Sequence, residues 1–281
     1  MHTVKAKITP YSILHKGESN KSVYPYLKDF CGNRDMLIVS PLHGRSFIVG
    51  QSNDRYIISK GNGLSYSQYP FLYTEELSDW GDDTWGLLLE QDARRDFCVG
   101  KEVESLGIKT NKMEYVLRLD TLVTLPNSHQ LNPILLQYSV ENPYRICDAP
   151  FMEQSQIMSA VDKWEQFNTR GFIQKHLIAA DVLIGNLRTL HNNGVLHNAI
   201  HEQNYTWALE LLDFELARTP NYPYEKDDYE RHVPILYHRE MIQTYVIINY
   251  IAGVLKEKPD YRIIDNLFLE YGYDLSKYQL H

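Results

Sequence analysis

Two residues nine positions apart, Asn204 and Asp213, carry the most specific chemistry in the chain. One offers a neutral amide oxygen and the other a carboxylate. Hard oxygen ligands of this kind suit Mg²⁺, which binds through one or two protein groups while phosphates and water complete its shell. Immediately before Asn204 stand His201, Glu202 and Gln203, with His197 a little earlier. A histidine has the right proton affinity for general base work, a glutamate can also take a proton, and a glutamine can only hydrogen-bond a hydroxyl. Far upstream, Lys60 precedes Gly61 and Gly63. Glycine lacks a Cβ, so backbone N–H groups there can approach an anion closely beside the lysine charge.

These groups need elements to hold them. Leu190 to Glu215 reads as a helix end, a turn at Gly194, a short strand, a loop and a second strand that delivers Asp213. Ahead of Lys60, the runs MLIVS, RSFIVG and RYIISK are β-branched or aromatic and are separated by turn-forming PLHG and QSND, which predicts hairpin-connected strands. Leu87 to Leu106 has a helical stripe of apolar residues and stops at Gly107; it carries Asp96 and Glu102. Met113–Thr124 and Pro133–Val140 read as strands, for a sheet of about five. Helices are predicted over Met152–Asn168, Phe172–Asn192, His238–Leu255 and Asp260–Tyr273. Arg218–Pro234 reads as a polar loop, and residues 1–35 as a weakly patterned N-terminal extension.

Set in that order, the motifs resemble those of a protein-kinase-like fold, and among such families the selenoprotein O family, atypical kinases that transfer AMP. His197-Asn198-Ala199-Ile200-His201-Glu202-Gln203-Asn204 is similar to the family's H-G-V-M-N-T-D-N loop, and Leu212-Asp213-Phe214-Glu215 to its I-D-Y-G segment, with the same spacing from Asn to Asp. Ser59 to Ser67 is similar to L-K-G-A-G-R-T-P-Y-S. Arg95-Asp96-Phe97 and Leu106 to Thr110 resemble R-E-F and L-G-I-P-T. Leu135 to Phe151 resembles L-T-R-V-A-P-S-F-I-R-F-G-H-F, with Arg145 on the second of two phosphate-binding arginines and Tyr138 on the first.

The resemblance implies an α+β, bilobal, protein-kinase-like fold: a β-rich N-lobe over 36–145 and a mainly helical C-lobe over 146–281. It implies ATP and Mg²⁺ as cofactors, with Lys60, Gly61, Gly63 and Arg145 toward phosphate, Asp96 (or Glu102) paired with Lys60, and Asn204 and Asp213 on the metal. Ala199 stands where ordinary kinases carry the aspartate that orients a substrate hydroxyl, and Gln203 where selenoprotein O proteins carry theirs. His201, Glu202 and His197 are then the substitutes within reach. Three functions remain open: AMP transfer to a hydroxyl of a protein or small molecule, phosphoryl transfer, and a pseudokinase that binds nucleotide and regulates.

Composition narrows the partners. A net charge of −8 over 281 residues argues against nucleic acid or an anionic membrane as the main partner. The three cysteines are scattered without a C-x-x-C pair, which suits a reducing compartment and provides no zinc site. The N-terminus has no apolar signal-like run, so a cytoplasmic protein is expected. The stretch 68–86 is acidic, with Glu75, Glu76, Asp79, Asp82 and Asp83; it reads as a solvated inserted loop, with a basic protein as the partner it would suit.

Overall fold

The computed structural model describes residues 2–18, 22–28, 36–39, 46–63, 86–124, 130–222 and 226–276. The acidic stretch with Glu75, Glu76, Asp79, Asp82 and Asp83, together with Ser65 to Ser67, lies outside the described residues. The chain divides into two compact units. The first comprises Met1–Lys101 and Asn111–Tyr144, the second Glu102–Thr110 and Arg145–His281.

The first unit is built on an antiparallel sheet. Strands β1 (His2–Ile8), β2 (Tyr11–Lys16), β3 (Tyr26–Lys28), β4 (Met36–Val39), β5 (Ser46–Ser52) and β6 (Arg55–Lys60) precede helix α1 (Glu90–Ser105). Strands β7 (Lys112–Leu119), β8 (Val123–Thr124), β9 (Gln130–Leu131) and β10 (Ile134–Val140) follow it. Eight strands join in the order β2-β7-β10-β6-β5-β4-β1-β3, while β8 and β9 form a separate pair. The β5–β6 turn shows how locally this is encoded. Asn53 and Asp54 both take left-handed backbone, φ 49° and 61°, which is what a two-residue hairpin turn needs and what Asn and Asp tolerate. Leu117, Leu119, Leu135 and Tyr115 on β7 and β10 pack with Leu27 and Leu87 into a buried cluster.

The sheet is larger than the five strands expected, and the surplus comes from residues 1–35. Read as an extension, they instead supply β1, β2 and β3. Val4, Ala6 and Ile8 alternate with Lys5 and Lys7, a two-residue period diluted by lysines. In β2 the register shifts between Ile13 and His15 where it pairs with β7, and such a bulge breaks the alternation that would reveal a strand.

In the second unit, α2 (Gln154–Val161) and its flanking 3₁₀ turns lead to α3 (Lys175–Asn192), then α4 (Lys226–Leu255) and α5 (Tyr261–Glu270). Helix α3 is the core element, burying Leu177, Ile178, Leu183, Ile184, Leu187 and Leu190. Its first backbone N–H groups are capped from afar: the Glu257 carboxylate accepts from Lys175 and His176 at 3.0 and 2.9 Å. Asp260 caps α5 by accepting from Ile263 N–H. Helix α4 is a correction. The loop expected through Pro234 gives way to helix at Lys226, because the run from Lys226 to Arg231 is made of residues compatible with helix, whereas Pro234 just beyond it reads as a stop. Among the described residues, no helix is long and apolar enough to cross a membrane.

Candidate functional site

Lys60 ends β6 and lies between two strands, opposite Ser46 of β5 and Leu136 of β10. That central place leaves its side chain 2% exposed, and its Nζ meets Asp96 Oδ2 of α1 at 2.8 Å, with Asp96 1% exposed. The shorter aspartate thus reaches the lysine directly. Glu102, the alternative partner, is engaged elsewhere: its carboxylate accepts from the Thr219 hydroxyl and the Asn221 amide at 3.1 and 3.2 Å.

Gly61 and Gly63 both have left-handed backbone, φ 95° and 97°. A Cβ on Gly61 would lie 2.4 Å from the Ile134 carbonyl oxygen and 2.9 Å from Leu88 Cβ, so packing alone demands glycine there. The Gly63 N–H donates to the Gly86 carbonyl at 3.3 Å. Between them, Asn62 donates its side-chain amide to Tyr26 O and Ser59 Oγ. The glycines therefore serve the exit of the chain from the sheet, a purpose the sequence pattern did not separate from anion binding.

In the second unit the Asn204–Asp213 spacing is the span of a tight hairpin, though its arms are isolated bridges rather than the two strands expected. Leu212 N–H donates to Asn204 O at 2.9 Å, and Thr206 N–H to Glu210 O at 3.0 Å. The Thr206 hydroxyl also accepts from Ala208 and Glu210 N–H. At the tip, Trp207 stacks on Trp164, ring centroids 6.0 Å apart and planes 9° from parallel, and Trp164 Nε1 donates to Trp207 O at 2.8 Å. Both indoles are fully buried. Asp213 leaves this hairpin with φ 69°, a left-handed conformation uncommon for a residue with a side chain. It is half-buried, as is Glu215, and carboxylate oxygens of the two lie within 4.8 Å of each other.

The loop before Asn204 is braced from three sides. His197 is fully buried and shares a hydrogen bond with the Leu212 carbonyl through Nε2 at 2.8 Å. Since a carbonyl only accepts, Nε2 carries the proton. Burial pushes its proton affinity down against the pull of Glu240, so it is a neutral strut beside Phe214 (ring centroids 5.1 Å) rather than the substitute base expected. Helix α4 contributes Glu240, whose Oε1 accepts from Asn198 N–H at 2.5 Å while its Oε2 contacts His191 Nε2 at 2.7 Å. His191 Nδ1 in turn meets the Tyr273 hydroxyl at 2.7 Å. Asn198, at φ 64°, is thereby held in left-handed backbone. Nothing in the spacing of Glu240 and His191 marks them; they were missed because their partners lie 42 and 49 residues away.

The third brace is Arg145. Its Nη1 donates to Gln203 O at 2.7 Å and to Asn204 Oδ1 at 3.2 Å. Its own N–H donates to Asp148 Oδ2 at 2.8 Å. The Asn204 amide is oriented by both ends, since Nδ2 donates to Ala199 O at 2.9 Å. His201 accepts from Gln203 N–H through Nδ1 at 3.3 Å, and burial pushes its proton affinity down, against the opposing charges of Glu202 and Asp213. Glu202 is half-buried and the Gln203 side chain is exposed. Tyr138, at the other arginine position of the resemblance, is buried on β10.

The donor set fits a hard cation at Asp213, with Glu215 near enough to assist, and does not fit one at Asn204. Carboxylates attract magnesium, whereas the Asn204 oxygen already accepts from a guanidinium.

No protein-family model matches the chain, and no curated protein does. Among solved structures, it is similar to the kinase domain of a Toxoplasma gondii rhoptry antigen (10% identity, 83% of this chain and 74% of that one, TM-score 0.40). It is also similar to an Stt7 homolog from Micromonas algae soaked with ATP (14% identity, 67% and 55%, TM-score 0.38). A third is the ROP18 kinase domain in complex with AMP-PNP and sucrose (13% identity, 66% and 51%, TM-score 0.34). The alignments thus span about half the length of the Stt7 and ROP18 chains. The described elements, a β-sheet with one helix in the first unit and mainly helices in the second, make the α+β mix expected.

Proposed function

We propose that the chain is a kinase-like, Mg-ATP-dependent transferase, and that the group it transfers to a hydroxyl of a protein or small molecule is AMP, with pyrophosphate as the leaving group. The observation that carries the proposal is the buried Lys60–Asp96 pair. A hydrophobic pair would serve stability as well or better, because desolvating two charges costs several kcal/mol that their attraction barely offsets. A lysine held at the end of a central strand by a helix carboxylate is the arrangement kinase-like folds use to hold nucleotide phosphates.

In this reading Lys60 holds phosphate and Asp96 fixes the lysine in place. Gly61 and Gly63 permit close approach of the backbone. Asp213 holds magnesium, which when bound would neutralise charge on the phosphates. Gln203, with its exposed side chain, orients the acceptor hydroxyl. Glu202 takes the proton, since His197 is fully buried and His201 accepts Gln203 N–H through Nδ1 while its Nε2 faces the Asn204 amide at 3.4 Å. Losing an optimal base slows transfer by about 10²–10⁴-fold without abolishing it, because positioning and charge neutralisation supply most of the acceleration. The AMP assignment rests on the selenoprotein O resemblance of the short motifs.

The test is incubation with Mg²⁺ and ATP labelled on either the α- or the γ-phosphate, each with an Asp213→Ala control. Label on protein from the α-phosphate supports AMP transfer, whereas label from the γ-phosphate alone makes the chain a phosphotransferase. A second reading, a nucleotide-binding pseudokinase, is favoured by Ala199 and Gln203 at the two positions where a carboxylate would stand. It predicts no label from either position while ATP still raises the melting temperature. Gln203→Asp discriminates further: increased transfer means a site assembled for chemistry.

A further inference from the structure

Two cations are buried among the candidate residues, and their compensation differs. Lys60 faces a carboxylate. Arg145 is 5% exposed, and among the described residues its guanidinium donates only to neutral oxygens, the Gln203 carbonyl and the Asn204 amide. Among the described residues no carboxylate oxygen comes within ion-pair distance of it; the near carboxylate, Asp148, accepts from its backbone N–H. A buried charge without an opposite charge is costly unless something else answers it.

Both Arg145 bonds use Nη1, which leaves the hydrogens on Nε and Nη2 for another acceptor. The Asn204 amide cannot turn to serve a metal instead. Reversing it would set its NH₂ against the guanidinium and its oxygen against the Ala199 carbonyl. Nor can the oxygen easily take a divalent ion as it stands, since the ion would sit about 2.1 Å away, close to a permanent positive charge 3.2 Å from the same atom.

We propose that Asn204 is not a magnesium ligand here. The Arg145 guanidinium occupies that oxygen and supplies in place of a divalent ion the positive charge that a nucleotide's phosphates meet, so the chain binds nucleotide without the Asn204-side metal and holds on to it when divalent ions are chelated. Asn204 is a positioning residue that aims Arg145. This rests on the nucleotide-binding reading above and narrows it: magnesium at Asp213 serves transfer, and affinity does not depend on it.

The experiment is calorimetric titration of the full chain with ATP, once in Mg²⁺ and once in EDTA, on wild type, Arg145→Gln, Arg145→Lys and Asn204→Asp. Thermal melting of each variant without nucleotide serves as a fold control. Expected for wild type is a Kd in EDTA within about tenfold of that in Mg²⁺, the step that 1.4 kcal/mol represents. Arg145→Gln should lose binding in EDTA by more than that factor, and Arg145→Lys, which keeps the charge, should retain a measurable part. Asn204→Asp should weaken binding in EDTA, because a new carboxylate would neutralise the guanidinium; a metal ligand would instead gain from the added charge. Wild-type binding that vanishes in EDTA but persists in Mg²⁺ overturns the inference and leaves the proposed function standing. Arg145→Gln that folds and binds in EDTA like wild type overturns it equally. Absence of binding in both media overturns the inference and the nucleotide reading together.

Discussion

Replacing Asp96 with asparagine keeps the shape of the Lys60–Asp96 contact and removes one charge. Lys60, 2% exposed, would then lose the carboxylate that meets it at 2.8 Å. Breaking a buried pair by removing one partner costs about 3–5 kcal/mol, much of it the desolvation of the charge left behind. For a protein of this size each kcal/mol moves the midpoint by about 2–4 °C, so the melting temperature of Asp96→Asn should fall by about 10 °C. The double variant Lys60→Met/Asp96→Leu removes both charges and fills the same space with apolar groups. It should recover most of that loss, since isosteric replacement of both partners is often neutral or stabilising. Differential scanning calorimetry on wild type, Lys60→Met, Asp96→Leu and the double completes the cycle, and the non-additive part isolates the pair. The double variant should also fail to gain stability from ATP, separating a folded protein from a binding-competent one. The reasoning is refuted if Asp96→Asn melts within 1 °C of wild type, on the order of 0.3–0.5 kcal/mol, or if the double variant is no more stable than either single one.

Acid should act in two stages. His197 and His201 have proton affinities lowered by burial, so below their ordinary value of 6.5 the unfolded chain binds protons that the folded chain refuses. Stability is therefore full above about pH 6.5 and declines as pH falls toward the folded-state values. Glu257 is pushed up by burial but more strongly down by the N–H groups of His176 and Lys175 and by the His176 ring. Its contribution persists to lower pH and is lost only below 4.5, the ordinary glutamate value. Melting curves from pH 8 to about pH 3 should show both declines, and His197→Gln should flatten the first. Separately, Gly61→Ala should destabilise the chain by more than about 1 kcal/mol, since φ is 95° and the new methyl would strike the Ile134 carbonyl; a denaturation midpoint equal to wild type would show that the strand exit can relax.

What the sequence disclosed, and what it hid, divides along the range of the interactions. The β5–β6 hairpin was readable because its turn chemistry lies in adjacent residues, Asn53 and Asp54. Lys60 and Asp96 could be matched because each sits at a fixed place in a strand or a helix with its own periodicity. The Arg145–Asn204 bond was invisible, since 59 residues separate the two and an arginine announces no acceptor. The Glu240–His191–Tyr273 network escaped for the same reason: Glu240 stands among His238, Arg239 and Gln243, so nothing local marks it as a buried carboxylate. The N-terminal strands were missed because lysines and a bulge blur a two-residue period, and the start of α4 because Pro234 reads as a stop.

The stacked indoles of Trp164 and Trp207 give the hairpin an optical label of its own. Two parallel aromatic chromophores 6.0 Å apart couple their transitions, and the coupling depends steeply on distance and tilt. Asn204 and Asp213 stand at the open end of the hairpin whose closed end carries Trp207, so a ligand that shifts either residue by a fraction of an ångström registers in the near-ultraviolet dichroism of unmodified protein. Occupancy of this loop can thus be followed by light, in solution and in real time, with no dye or radiolabel attached.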